Sequence, residues 1–196
     1  MKILGLLGSP RAGNSETLFN AFAKEAKKAG AQVQSIWLKS KNFAPCAACD
    51  GCSKTGECIV KDDFQQIASA IDKSDVLVLA TPVHFGGPSA HMTTFFSRCQ
   101  SLWVRKYVLE KKGRRKKAKR AGILIVTSYE KNPDYIKCVK QMSKYIFNSL
   151  DFTPLATFWF ANLDKPRDAS SQPKLLEKMR GFGKLVAQKR WKKLKW

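Results

Sequence analysis

From Asp75 to Thr81 the chain reads DVLVLAT, an unbroken apolar run behind one acidic residue. A half-buried strand alternates apolar and polar side chains, so a run without alternation must be covered on both faces. It is also far shorter than the roughly 20 residues a membrane-spanning helix needs. The segment therefore predicts a central strand of a parallel sheet, with helices packed on either side.

The rest of the chain supplies its partners. KILGLLG (Lys2–Gly8) reads as a buried strand and AQVQSIWL (Ala31–Leu38) as an alternating one. AGILIVTS (Ala121–Ser128) and PLATFWFA (Pro154–Ala161) are two more. Helical periods lie between them. Ser15–Lys28 sets Leu18, Phe19, Phe22 and Ala26 on one face, and Asp62 or Asp63 caps a helix carrying Phe64, Ile67, Ala68 and Ile71. Further helices are expected over Ser89–Val108, Asp134–Leu150 and Pro173–Trp191. Five strands alternating with helices predict an α/β fold: a flavodoxin-like three-layer sandwich with a five-stranded parallel sheet in the order 2-1-3-4-5. The 196 residues suit a single domain, 1–196, with a Cys-rich insertion at about 44–60 and a basic segment at about 104–120. In such sheets ligands sit at the carboxyl ends of the strands, where the order reverses. The loops after the first and third strands should then lie side by side.

The first of these loops is GSPRAGNSETL (Gly8–Leu18). It has the glycine spacing of a nucleoside-triphosphate loop, but Asn14 stands where the lysine for the outer phosphates belongs. What remains is a helix N-terminus with outward amides, the hydroxyls of Ser9, Ser15 and Thr17, the Asn14 amide and the Arg11 charge. Gly13 adds no Cβ, so a ligand can approach the backbone. The set fits one terminal phosphate. The pyrophosphate fingerprint G-x-G-x-x-G is absent. The blander reading is a strand–turn–helix joint, capped by Ser15 and binding nothing.

GSPRAGNSETL resembles the FMN-phosphate loop of the NAD(P)H-dependent FMN reductases, and ATPVHFGGPSAHMTTFFSR (Ala80–Arg98) resembles that family's second flavin loop. The resemblance is close over Met1–Arg98 and holds by pattern beyond. It implies FMN as cofactor, with Ser9, Arg11, Gly13, Asn14, Ser15 and Thr17 around the phosphate. Pro82, Val83, His84, Phe85 and Gly86 would run along the isoalloxazine. The chain departs from the family at His84, where a tyrosine is frequent, and in the third loop. There TSYEKNPDY replaces a Gly-rich stretch, leaving Ser128 and Tyr129 as candidate flavin contacts.

CAACDGCSKTGEC places Cys46, Cys49, Cys52 and Cys58 at C-x2-C-x2-C-x5-C spacing. Thiolates so spaced can turn inward onto one centre, and three followed by a fourth is a common way to surround an iron–sulfide cubane. Zinc, which more often takes two separated pairs, and an empty loop stay open. Disulfides would be cramped. The spacing resembles the compact motif of the iron–sulfur flavoproteins, a branch of the same reductases, and implies a [4Fe-4S] cluster on these four residues. Cys99 and Cys138 sit in helical patterns and read as core or inert thiols.

The only histidines are His84 and His91, and no Ser-His-Asp or HExxH pattern is present. Redox chemistry is the expectation. The resemblance implies a flavin-dependent oxidoreductase passing electrons between a ferredoxin-like or NAD(P)H donor and a small acceptor, working as a homodimer or homotetramer. The alternative is an NAD(P)H-dependent FMN or quinone reductase without a cluster. The net charge is +21, held largely in Lys111–Arg120 and Lys189–Trp196. It favours an acidic partner such as a ferredoxin. A nucleic-acid-binding module using Trp191 and Trp196 ranks last, since no helix-turn-helix, RNP or zinc-finger signature accompanies the charge. The opening MKILGLLGSPRAG is too short in its apolar part for a signal peptide, so a cytoplasmic protein is expected.

Overall fold

The computed structural model describes residues 1–110 and 120–190. Strands β1 (Lys2–Leu7), β2 (Gln32–Trp37), β3 (Val76–His84), β5 (Arg120–Thr127) and β6 (Phe152–Phe160) form a parallel sheet in the order β2-β1-β3-β5-β6. A two-residue strand, β4 (Gly87–Pro88), pairs antiparallel with β3 alone. With β4 set aside, this is the expected flavodoxin-like order. Its switch point lies between β1 and β3, which share five paired positions from Ile3–Val76 to Leu7–Ala80.

The apolar run does what its pattern demands. Val76 to Ala80 are wholly buried, with alternate residues facing opposite sides of the sheet. On one side Val76 and Val78 meet Leu18, Phe22 and Phe182, from α1 (Asn14–Lys28) and α6 (Pro173–Ala187). On the other, Leu77 and Leu79 meet Phe64, Phe95 and Phe147. These belong to α2 (Phe64–Lys73), α3 (Ala90–Arg98) and α5 (Lys137–Ser149). Each such buried side chain contributes about 1.5–3 kcal/mol relative to exposure. Among the described residues no helix is long and apolar enough to cross a membrane.

The structure corrects four local expectations. The helix expected over Ser89–Val108 is three pieces: α3, then α4 (Gln100–Trp103), then a π-helical turn, Val104–Val108. A Leu109 amide bond to the Val104 carbonyl, at 3.0 Å, closes the wider turn. The apolar period runs through the break without interruption, so nothing in the pattern marks it. Second, TPVHFGGP (Thr81–Pro88), whose turn signals predict a loop, is not all loop, because β3 runs to His84 and turns straight into β4. Third, Arg120 is not part of a solvated basic run. It opens β5, lies 3.8 Å over the Phe152 ring, and donates to the carbonyls of Ser74, Leu150 and Ile71. Fourth, the last helix ends at Ala187. Lys111–Lys119, Trp191 and Trp196 lie outside the described residues.

Candidate functional site

The turn after β1 delivers the chain into α1 with Gly13 extended and no side-chain cap. The first amides of a helix have no partner within it. Here the Thr17 amide is the first to bond back, to the Gly13 carbonyl at 2.9 Å. Among the described residues no protein group accepts from the amides of Asn14, Ser15 and Glu16, or pairs with the hydroxyls of Ser15 and Thr17. Ser15 is nonetheless buried. The unspent donors and the positive end of the helix dipole form a cradle that fits a phosphate.

Other residues of the loop are already engaged. The Ser9 hydroxyl donates to the Arg11 carbonyl at 2.6 Å and accepts from the Arg11 amide. Arg11 donates to the Asp164 carbonyl at 2.9 Å. Asn14 uses both ends of its amide, donating to the Lys165 carbonyl and accepting from the Ala169 amide. The segment from Asp164 to Ala169 is thereby strapped to the loop after β1. A Cβ on Gly13 would come no closer than 3.9 Å to Pro166, so the crowding is elsewhere. It falls at Gly8, where a Cβ would sit 2.9 Å from both Met92 Cβ and Ser89 Oγ.

That close approach joins the two loops. Ser89 caps α3, accepting from the Met92 amide, and its hydroxyl donates to the Gly8 carbonyl at 2.6 Å. Thr81 Oγ1 accepts from the Ser89 amide at 3.1 Å and donates to the Pro82 carbonyl at 2.9 Å. The Gly8 amide donates to Ala80. Between Thr81 and Ser89, Pro82 and Val83 are half-buried while His84 and Phe85 are exposed. Phe85 and Gly86 both have positive φ, 51° and 78°, and form a two-residue turn with His84 opposite Gly87. The third loop adds less than its sequence suggests. Ser128 Oγ accepts from the Trp159 indole and donates to the Glu130 carbonyl, while Tyr129 is exposed.

A second cluster lies beyond α2. Cys46 and Cys49 are exposed, Cys52 and Cys58 half-buried, and all four line one narrow cavity together with Arg98. Ala48 and Asp50 adopt left-handed backbone, which curls the chain through the first three cysteines. Gly56, at φ 71°, packs so tightly on the π-helical turn that a Cβ would lie 2.7 Å from Arg105 Cβ. The Cys46 amide donates to Ser97 Oγ at 3.1 Å, and the Ala48 amide donates to Cys46 Sγ at 3.4 Å. Burial, and then the charges of Cys46, Cys58 and Cys49, hold the Cys52 thiol above its ordinary value.

Among the described residues no three Cys, His, Asp or Glu side chains converge as a group that could hold a metal ion. Zinc draws four thiolates to one point at about 2.3 Å. A cubane takes one thiolate per iron, and its thiolates stand apart around it. The four cysteines share one cavity but do not form such a group among the described residues. Cys99 is fully buried, donates to the Phe95 carbonyl and is pushed strongly up by burial, as an inert thiol should be. Cys138, expected to be core or inert, is exposed on α5.

Sequence reasoning missed the Thr81–Ser89 latch, the strap from Asp164 to Ala169, and the pair formed by Arg98 and Asp62. A serine just before a helical period is a cap signal that marks Ser89. The strap and the pair rest on contacts distant in sequence, which no local pattern carries.

Residues 1–161 match the NADPH-dependent FMN reductase family. A protein named iron–sulfur flavoprotein from Archaeoglobus fulgidus is 36% identical over 99 residues, 50% of this chain and 45% of that protein. One of the same name from Methanocaldococcus jannaschii is 29% identical over 199 residues, 96% of each. The chain thus matches less than half the length of the first relative and nearly all of the second. Among solved structures, an NAD(P)H:quinone oxidoreductase from Methanothermobacter marburgensis superposes with a TM-score of 0.73 at 17% identity, covering 95% of this chain and 96% of that one. That likeness is one of fold.

Proposed function

The chain belongs to the NADPH-dependent FMN reductase family, and from that premise we propose that it is an FMN-dependent oxidoreductase of iron–sulfur flavoprotein type. The observation that carries this reading is the uncapped start of α1, with two unpartnered hydroxyls, latched against the loop after β3. FMN exchanges electrons singly or in pairs and an iron–sulfur cluster one at a time, so bound together they would join two-electron to one-electron chemistry. The chain's part is to seat both. Ser15, Thr17 and the first amides of α1 receive the phosphate, helped by Ser9. Arg11 and Asn14 hold the strap to this loop, and the remaining guanidinium donors of Arg11 would meet the anion. Pro82 to Gly86 meet the ring system. Cys46, Cys49, Cys52 and Cys58 hold the cluster.

Electrons come from NAD(P)H or from an acidic one-electron protein drawn by the +21 charge, and leave to a small acceptor such as a quinone. The names of the relatives and the one cavity that the four cysteines line support the cluster.

Anaerobic purification followed by iron, sulfide and flavin analysis tests the reading. About one FMN with about four irons and four sulfides per chain is expected. FMN without iron would leave a plain flavin reductase. Protein that takes up no FMN from excess cofactor would overturn the reading altogether.

A further inference from the structure

Arg98 ends α3 with its side chain only 2% exposed. Its guanidinium donates to Asp62 through two nitrogens, at 2.6 and 3.1 Å, and to the Ala44 carbonyl at 3.0 Å. One of those nitrogens also reaches Cys58 Sγ at 3.4 Å. The plane lies 4.8 Å from the centre of the Phe64 ring, and Nε is buried with no partner. A guanidinium this well buried is costly and rarely left incompletely bonded. Two strands of the Cys-rich insertion, at Ala44 and at Cys58, are held by this one group. Arg98 also lines the cavity that the four cysteines share.

We propose that Arg98 is the positioning residue of the cysteine centre, and that its charge, partly offset by Asp62, sets how readily that centre accepts an electron. The inference rests on the cluster reading above. Two roles follow from one contact. The fork fixes Cys58 relative to the other cysteines. The positive charge stands nearest the sulfur that becomes more electron-rich when one electron arrives, with no bond made or broken, and so favours the reduced state. Asp62, bonded to the same guanidinium, opposes this. The lysines and acids that line the insertion elsewhere are exposed, where water screens them. Arg98 is the buried one.

The opposed charges give the test a sign. Arg98→Gln should lower the midpoint potential of the iron–sulfur centre, and Asp62→Asn should raise it, in anaerobic dithionite titrations followed by absorbance and electron paramagnetic resonance. Arg98→Lys should hold the potential close to wild type while losing iron faster on dilution, because it keeps the charge without the fork. The FMN potential serves as the internal reference. A purely structural role predicts loss of iron in all three variants, with no opposed shifts. Potentials that stay put, or move in the same direction in the Gln and Asn variants, overturn the inference while leaving the functional reading intact. Wild-type protein lacking iron and sulfide overturns both.

Discussion

Asp62 shows how a single carboxylate can govern a whole loop. Burial works against its charge, but the hydrogen bonds from Arg98 prevail and hold it below the usual carboxylate range. A group whose folded value is depressed stabilises the fold fully above its unfolded value, about 4, and loses that contribution as pH falls through the lower folded one. The stability gap between wild type and Asp62→Asn should therefore be widest near neutrality and narrow progressively below about pH 4, as read from urea midpoints. A gap constant from neutral to acid pH would rule the pair out as the source. In the sequence Asp62 shows only as a candidate helix cap, and Arg98 only as the end of a motif. Arginines on amphipathic helices usually face water. Burial of this one follows from the insertion folding back over α3, a contact spanning 36 residues from Asp62 and 54 from Ala44.

Among the elements, the β3–β4 hairpin is the one least at ease. A two-residue turn of this hand needs left-handed backbone at both positions. Gly86 adopts it freely. Phe85 does not, and its side chain is wholly exposed. Such a residue costs on the order of 1–2 kcal/mol, and the fold gains nothing visible in return. Asparagine tolerates the conformation, so Phe85→Asn should stabilise the flavin-free protein by about 1 kcal/mol in urea melts. The same change should weaken FMN binding in fluorescence titrations if the ring faces the cofactor. An unchanged or lowered urea midpoint would contradict the strain.

TPVHFGGP carries strong turn signals, but the strand pairing on either side of the turn was illegible. Asn-Gly or Asp-Gly announces such a hairpin, whereas Phe-Gly does not. The strands, by contrast, were legible because period and burial agree: Val76 to Ala80 needed cover on both faces and have it. The π-helical turn was hidden for the opposite reason, since a wider turn keeps an apolar face without altering its composition.

At the scale of the molecule, the strand order and its switch point were written in the alternation of elements, and the unpartnered donors at the start of α1 in the loop after β1. The cysteine spacing located the second cluster, though not the buried cation beside it. The charge of +21 was equally plain in composition. It predicts that reduction by an acidic one-electron protein slows markedly as salt rises from about 50 to about 500 mM, since screening shortens to a few ångströms. Reduction by NAD(P)H, which docks through a small contact, should change much less. Stopped-flow rates for the protein donor that stay flat across this range would exclude docking by charge.

The strap that Asn14 holds comes from residues 151 and 155 positions further along the chain. A nascent polypeptide leaving the ribosome has its cradle long before it has the roof. A chain broken off before Asp164 could therefore gather all its strands and still lack every bond that Arg11 and Asn14 make to that segment.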